Sequence, residues 1–258
     1  MLQPWQDAIV TKIVQETPTT KRFFFALTSG HVFDFIPGQF VTFDLPIHEQ
    51  KNKRWRSYSI ASAPSNNNEF ELVIVHLEGG LGTTYLFNEV AVGTTLIMRG
   101  PQGVFVLPKS ITTDLYFICT GTGVAPFRSM LLDIHQKKIP HQQMHLLFGC
   151  RKYTDSLYEQ ELKALETAEE HFFYHPSFSR ETEKREGANL GYVHATYKKL
   201  LEAGASKEAH FYICGWKNMV DEARATLTEL GIPKSQIHFV KSKFQYYFIF
   251  LQIAKNLI

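Results

Sequence analysis

The chain is poor in cysteine. Its 258 residues contain three, Cys119, Cys150 and Cys214, far apart and with no C-x-x-C pair. That spacing argues against a zinc or iron–sulfur site, so no metal is expected. Buried free thiols suit a reducing compartment, and the expected location is the cytoplasm. Charge of one sign is lacking too. The formal net charge is +2, which leaves no electrostatic footprint for a nucleic acid partner. The first residues, "MLQPWQDAIV", have neither the basic start nor the apolar stretch of a signal peptide. The apolar stretch that closes the chain, "FQYYFIFLQIAKNLI", is shorter than the roughly 20 residues that span a bilayer. It reads as a packed terminal segment, with contact to a partner or membrane as the alternative.

What is present is a globular balance. Apolar residues make up 44% and charged residues 20%, enough to bury a substantial core. Aromatics are plentiful, with 21 Phe and 11 Tyr, which suits packed sheets or flat ligands. The two halves differ in pattern. Up to about residue 107 the chain reads as six short strands: "DAIVTKIVQ", "KRFFFALT", "QFVTFDL", "RSYSIAS", "EFELVIVHL" and "TTLIMRG". Turn signals separate them, and a helix is expected at "TTYLFNEV". This pattern predicts a six-stranded antiparallel β-barrel. From about residue 112 apolar strands alternate with helical segments. "LYFICT", "MHLLFGC", "HFFYHPSFS", "HFYICG" and "QIHFV" are the strands. Alternation of this kind predicts a parallel α/β sheet with crossover helices. The expected domains are therefore residues 1–108 and residues 112–258.

Three short features carry chemistry. In "FICTGTGVAPFRSM", Gly121 and Gly123 follow a strand and precede a helix. Glycines there let a phosphate reach unpaired N–H groups, and the helix dipole favours its charge. Pro126 fits the first helical turn, where its missing N–H costs nothing. The alternative is a tight strand–helix turn with no ligand. In "EGGLGTTYLF", Gly79, Gly80 and Gly82 precede Thr83 and Thr84 at a helix start, where a hydroxyl caps the helix or meets a phosphate. In "RWRSYSIAS", Arg56 and Tyr58 share one strand face. They suit a phosphate and a flat ring, or else a solvated Arg beside a packed Tyr.

Taken in order, these features resemble the ferredoxin–NAD(P)⁺ reductase family of flavoproteins, over nearly the whole chain. The resemblance rests on "PGQF" (37–40), "RSYSIAS" (56–62), "EGGLGTT" (78–84), "GPQGVF" (100–105), "GTGVAPFRS" (121–129), "FGCR" (148–151), "SRE" (179–181) and "CGWKNMV" (214–220). It implies an FAD-binding barrel followed by an NAD(P)-binding domain. It also implies that Arg56 contacts the FAD pyrophosphate, that Tyr58 packs on the flavin, and that Ser59 hydrogen-bonds near flavin N5. Thr83 and the amides after Gly82 would hold the flavin phosphates. Ser57, Val73, Gly80, Thr84 and Pro126 complete the implied cofactor contacts on these segments. Gly121, Thr122 and Gly123 would bind the nicotinamide nucleotide's pyrophosphate. Cys214 and Gly215 would lie beside the nicotinamide, with Ser59 and Cys214 at the hydride-transfer locus.

The implied activity is an NAD(P)H oxidoreductase that passes electrons to ferredoxin, flavodoxin or a similar small redox protein. Hydride transfer needs no general base, so the lack of a Ser–His–Asp signature is neutral. A flavin-binding subunit of a larger redox complex and a direct ferric or flavin reductase are the alternatives. NADP(H) is expected over NAD(H), because Arg151 and Lys152 end the second strand of the nucleotide domain. Ser179 and Arg180 match the position that holds the 2′-phosphate in NADP-type relatives. Tyr192 is placed to stack on the adenine. Leu190 stands where a Lys is usual, with Lys184 or Arg185 as substitutes. The family's C-terminal Glu falls near Val240 and Lys241, and Phe244, Tyr246 and Tyr247 are candidates for the aromatic that shields the flavin.

Overall fold

Phenylalanine alternation builds the first domain. In "KRFFFALT" Phe23 and Phe25 point inward and are fully buried, while Phe24 faces out. Phe25 stacks on Phe70 at 5.3 Å and lies 5.1 Å from Phe43, so one aromatic column fills the interior. The structure is a computed structural model that describes residues 3–204, 206 and 208–240. Its first sheet contains β1 (Trp5–Thr17), β2 (Thr20–Leu27), β3 (Phe40–Asp44), β4 (Trp55–Ser59), β5 (Glu69–Val75) and β6 (Thr95–Gln102). They run antiparallel in the order β4-β3-β6-β1-β2-β5. The Ala61 N–H donates to the Glu71 carbonyl at 2.8 Å, which joins the two outermost strands and closes the barrel. The helix α1 (Leu81–Asn88) lies between β5 and β6.

The second sheet is parallel. Along the chain come β7 (Leu115–Thr120), α2 (Ala125–Lys137), β8 (Met144–Cys150), α3 (Glu159–Ala168), β9 (Phe172–Phe178), β10 (Asn189–Leu190), α4 (Val193–Glu202), β11 (His210–Cys214), α5 (Lys217–Glu229) and β12 (Ile237–Phe239). The spatial order is β10-β9-β8-β7-β11-β12. Side chains of β7 alternate between two cores. Phe117 and Cys119 pack with Leu131 and Ile134 of α2 and Leu162 of α3. Tyr116 and Ile118 pack with Val193 and Tyr197 of α4 and Ala223 of α5. Burial on both faces is why these strands read as unbroken apolar runs. The barrel followed by a parallel α/β sheet is the architecture that the sequence predicts. Residues 103–114 connect the two sheets without regular structure. Strand β10 is absent from the sequence reading, because two residues carry no periodicity. Among the described residues no helix is long and apolar enough to cross a membrane.

A buried ionic cluster joins the two sheets. Arg128 of α2 donates to the Ala61 carbonyl at 2.8 Å and to Glu71 of β5 at 3.1 Å. Its other edge holds Glu161 of α3 at 2.6 and 2.8 Å. Arg22 of β2 donates two bonds to Glu71, at 2.6 and 3.1 Å, and the Tyr158 hydroxyl adds a third donor at 2.7 Å. The Tyr158 ring lies 4.8 Å from the Arg22 guanidinium and 4.2 Å from that of Arg128.

Candidate functional site

In an open parallel sheet the strand order reverses at one point, and the crevice beyond the strand ends there takes ligands. Here the reversal falls between β7 and β11. After Thr120 the chain makes one 3₁₀ turn, Gly121–Val124, and enters α2. Gly121 has φ +53, and a Cβ there would meet only Trp216 Nε1, at 3.8 Å. The space over this turn is open to a ligand. Gly123 has a different reason. A Cβ at this position would lie 2.3 Å from the Cys214 carbonyl oxygen, so the glycine lets the two strand-end loops touch. A Cβ at Gly215 would lie 2.4 Å from Thr120 Oγ1. That same Oγ1 accepts from the Trp216 N–H at 3.1 Å. The loops after β7 and β11 are therefore interlocked.

The barrel supplies the opposite wall. Ser57, Tyr58 and Ser59 from β4 and Val73 and Val75 from β5 face Thr120, Thr122, Gly123, Ala125, Cys214, Gly215, Trp216 and Val240 across a cleft of about 240 Å³. Burial raises the Tyr58 phenol above its ordinary pKa, with Arg56 opposing, so Tyr58 is neutral. Burial likewise pushes the Cys214 thiol up to about 12. A thiol this reluctant to ionise is a packing group and a poor nucleophile.

Beside the cleft, α1 presents its N-terminus to Arg56. A Cβ at Gly82 would fall 2.8 Å from Arg56 Cγ and 3.0 Å from its Nε. Only glycine lets the arginine lie this close to the helix start. Both are positive, since a helix N-terminus carries roughly half a charge. Such a juxtaposition suits an anion. Burial lowers the Arg56 pKa and Tyr58 partly offsets it, and its Nη1 donates to the Lys53 and Trp55 carbonyls at 2.9 Å each. Gly80 is the N-cap and Thr84 lies in the first turn. Thr83 is occupied locally. Its Oγ1 accepts from the Leu77 N–H at 3.1 Å and lies 3.1 Å from the Gly80 carbonyl, which shapes the loop before the helix.

The remaining sequence candidates lie elsewhere on the same sheet edge. Pro126 is buried in the first turn of α2. The Arg180 N–H donates to the Arg151 carbonyl at 2.9 Å, and the Ser179 N–H to the Cys150 carbonyl at 3.0 Å. These bonds bring the ends of β8 and β9 together and set both arginines on one rim. Tyr192, the N-cap of α4, is 74% exposed. Of the two substitutes for the missing lysine, Arg185 stacks on Tyr153 at 3.8 Å. Phe244, Tyr246 and Tyr247 lie outside the described residues. Sequence reasoning missed Val75, Thr120, Ala125 and Trp216. The last two directly flank or enter motifs already singled out, and Thr120 closes the strand that feeds the glycine turn.

Comparisons with known proteins agree with this arrangement. Residues 7–107 match the oxidoreductase FAD-binding domain and residues 117–225 the oxidoreductase NAD-binding domain. The chain is 35% identical over 228 residues to ferredoxin–NADP reductase B of Sorangium cellulosum, covering 86% of this chain and 91% of that protein. It is 32% identical over 218 residues to the anthranilate 1,2-dioxygenase electron transfer component of Acinetobacter baylyi, covering 83% of this chain but 60% of the relative. Among solved structures, a cytochrome P450 reductase of Amycolatopsis superposes with a TM-score of 0.81 at 22% identity, over 93% of this chain and 70% of that one. A ferredoxin NADP⁺ reductase of Neisseria gonorrhoeae gives 0.73 at 23% identity, over 92% and 98%. At these identities the structural likeness concerns the fold.

Proposed function

The chain belongs to the ferredoxin–NADP reductase family of FAD- and NAD-binding oxidoreductases, and from that premise we propose that it oxidises a nicotinamide nucleotide and passes the electrons singly to a small redox protein such as ferredoxin or flavodoxin. The observation that carries the reading is the cleft in which Tyr58 and Ser59 face Gly123, Cys214 and Gly215. Bound FAD supplies the chemistry, accepting a hydride and releasing electrons one at a time, while the protein supplies position and electrostatics. Arg56 and the N-terminus of α1 hold the FAD pyrophosphate. Tyr58 packs on the flavin ring, with Ser57 and Val73 along the same wall, and Ser59 donates a hydrogen bond to the ring edge. Gly121, Thr122 and Gly123 cradle the nicotinamide nucleotide's pyrophosphate. Cys214 and Gly215 form the floor beside the nicotinamide, with the thiol in a positional role.

The test is anaerobic stopped-flow mixing with NADPH and NADH, without a partner protein, and identification of the flavin released on denaturation. FAD, bleached by one or both coenzymes, is the expected result. FMN as the bound flavin, or a protein that neither coenzyme reduces, would overturn the reading. A second destination for the electrons, the oxygenase of a larger redox complex, draws support from two relatives. One is the anthranilate dioxygenase electron transfer component. The other is a reductase component of phenol 2-monooxygenase, 30% identical and covered over 61% of its length. A screen of ferredoxins, flavodoxin, an oxygenase component and ferric chelates as acceptors separates these readings.

The coenzyme preference proposed is NADPH. Arg151 and Arg180 follow adjacent strand ends and are joined through their backbones, so a phosphate bound at this rim would lie near two cations. A charge-assisted contact to phosphate is worth roughly 1.5–3 kcal/mol. Arg180→Ala should therefore lower kcat/KM for NADPH by about tenfold or more and leave NADH nearly unaffected. Wild-type preference for NADH, or equal losses with both coenzymes, would count against it.

A further inference from the structure

The two walls of the cleft belong to different sheets, so something must fix the distance between them. The connecting stretch, residues 103–114, has no regular structure. Ala61 and Val73 share an apolar core with Val124 and Ala125, and one buried side chain adds directional hydrogen bonds across the same joint. Arg128 donates to the Ala61 carbonyl at 2.8 Å. Ala61 is two residues beyond Ser59 on the same run of chain, and Arg128 is five residues beyond Gly123, on the helix that the glycine turn feeds. The guanidinium thus touches the backbone of the flavin-side wall from within two turns of the nucleotide-side wall.

The fork is held on both sides. Glu161 fixes its Nε and Nη2 edge at 2.6 and 2.8 Å, and Glu71 takes Nη1 at 3.1 Å. Glu71 sits on β5, two residues from Val73, and its own carbonyl accepts the Ala61 N–H. Arg128, Glu71 and Ala61 therefore close a small ring of hydrogen bonds in which every member lies within two residues of a cleft residue or, through α2, one short helical run from it. Arg128 is 5% exposed and Glu71 4% exposed, so the ring is largely shielded from water.

We infer that Arg128 is a positioning residue for electron transfer between the nicotinamide nucleotide and the flavin: its guanidinium sets the spacing between the Tyr58–Ser59 wall and the Gly121–Gly123 turn. This rests on the function proposed above. Bound reactants need a separation of roughly 3–3.5 Å, and a misplacement of about 1 Å costs on the order of a hundredfold in rate. Lysine keeps the charge and most of the stem but has no planar fork. It cannot hold Glu161, Glu71 and the Ala61 carbonyl together.

Arg128→Lys is the test, in the flavin-loaded full chain. Flavin content, the oxidised spectrum and the dissociation constant for NADP⁺ should stay within about twofold of wild type. The single-turnover rate of flavin reduction at saturating coenzyme should fall roughly 10- to 100-fold. Reduction by dithionite, which does not use the nucleotide wall, should be unchanged. A coenzyme-driven rate within twofold of wild type overturns the inference. If Arg128→Lys fails to retain flavin, Glu161→Gln replaces it, since Glu161 holds the opposite edge of the fork and is itself partly exposed. A slower reduction at full flavin content then supports the inference, and an unchanged rate overturns it. Wild type that neither coenzyme reduces would instead overturn the proposed function, so the two failures are told apart by the first trace.

Discussion

Glu71→Ala should lower stability by about 3–5 kcal/mol, because it strips the shared anion from a buried cluster and leaves two arginines facing each other. Three donors converge on this carboxylate: Arg22 through two bonds, Arg128, and the Tyr158 hydroxyl. For a chain of this size the loss corresponds to a melting temperature lower by roughly 6–20 °C. Burial alone would raise the Glu71 carboxyl pKa, but Arg22 and Arg128 outweigh it and hold it below the ordinary carboxylate value. The unfolded chain has no such partners, so its carboxyl titrates near that ordinary value. The stabilisation is therefore complete at neutral pH, begins to fall near pH 4.5, and is lost as pH drops through the folded value. Calorimetry of wild type and variant from pH 8 down to pH 4 should show a wide gap that narrows at the acid end. Equal melting temperatures at pH 7 would show that the cluster contributes nothing net.

The same cluster marks where sequence reading stops. The barrel strands are legible because short β-branched and aromatic runs are set off by turn residues, while the sorting of Phe23 and Phe25 from Phe24 appears only in the structure. The parallel strands are legible because burial on both faces makes them continuous. The ionic joint leaves no such local mark. Arg22, Glu71, Arg128 and the Tyr158–Glu161 pair come from four distant places, and each looks like an ordinary surface residue in its own segment. Arg128 even sits inside "GTGVAPFRS", a stretch whose glycines draw attention to phosphate. Those glycines also divide differently in space. Gly121 opens room for a ligand, whereas Gly123 is demanded by the Cys214 carbonyl. The sequence places both in one motif but cannot separate a ligand contact from a contact between loops. Thr120 and Trp216 escape for the same reason, since their bond spans 96 positions of sequence.

Arg56→Ala should weaken FAD retention by about ten- to a hundredfold, the equivalent of one charge-assisted phosphate contact at roughly 1.5–3 kcal/mol. Loss of charge is one route to that result, and geometry offers a second. Gly82→Ala leaves Arg56 in the sequence but sets a methyl 2.8 Å from its Cγ. The Cγ is near the root of the side chain, so the whole guanidinium must swing away from the start of α1. If the pyrophosphate lies between the arginine and the helix N-terminus, Gly82→Ala should reproduce much of the Arg56→Ala defect with the charge intact. Tyr58→Ala, which removes the ring's packing partner and leaves the phosphate site alone, should shift the flavin absorbance and fluorescence more than it weakens binding. Fluorescence titration of the apoprotein with FAD measures all three. Equal affinity in wild type, Arg56→Ala and Gly82→Ala would remove the pyrophosphate from this corner of the barrel. A Gly82→Ala defect without an Arg56→Ala defect would assign the anion to the helix amides alone.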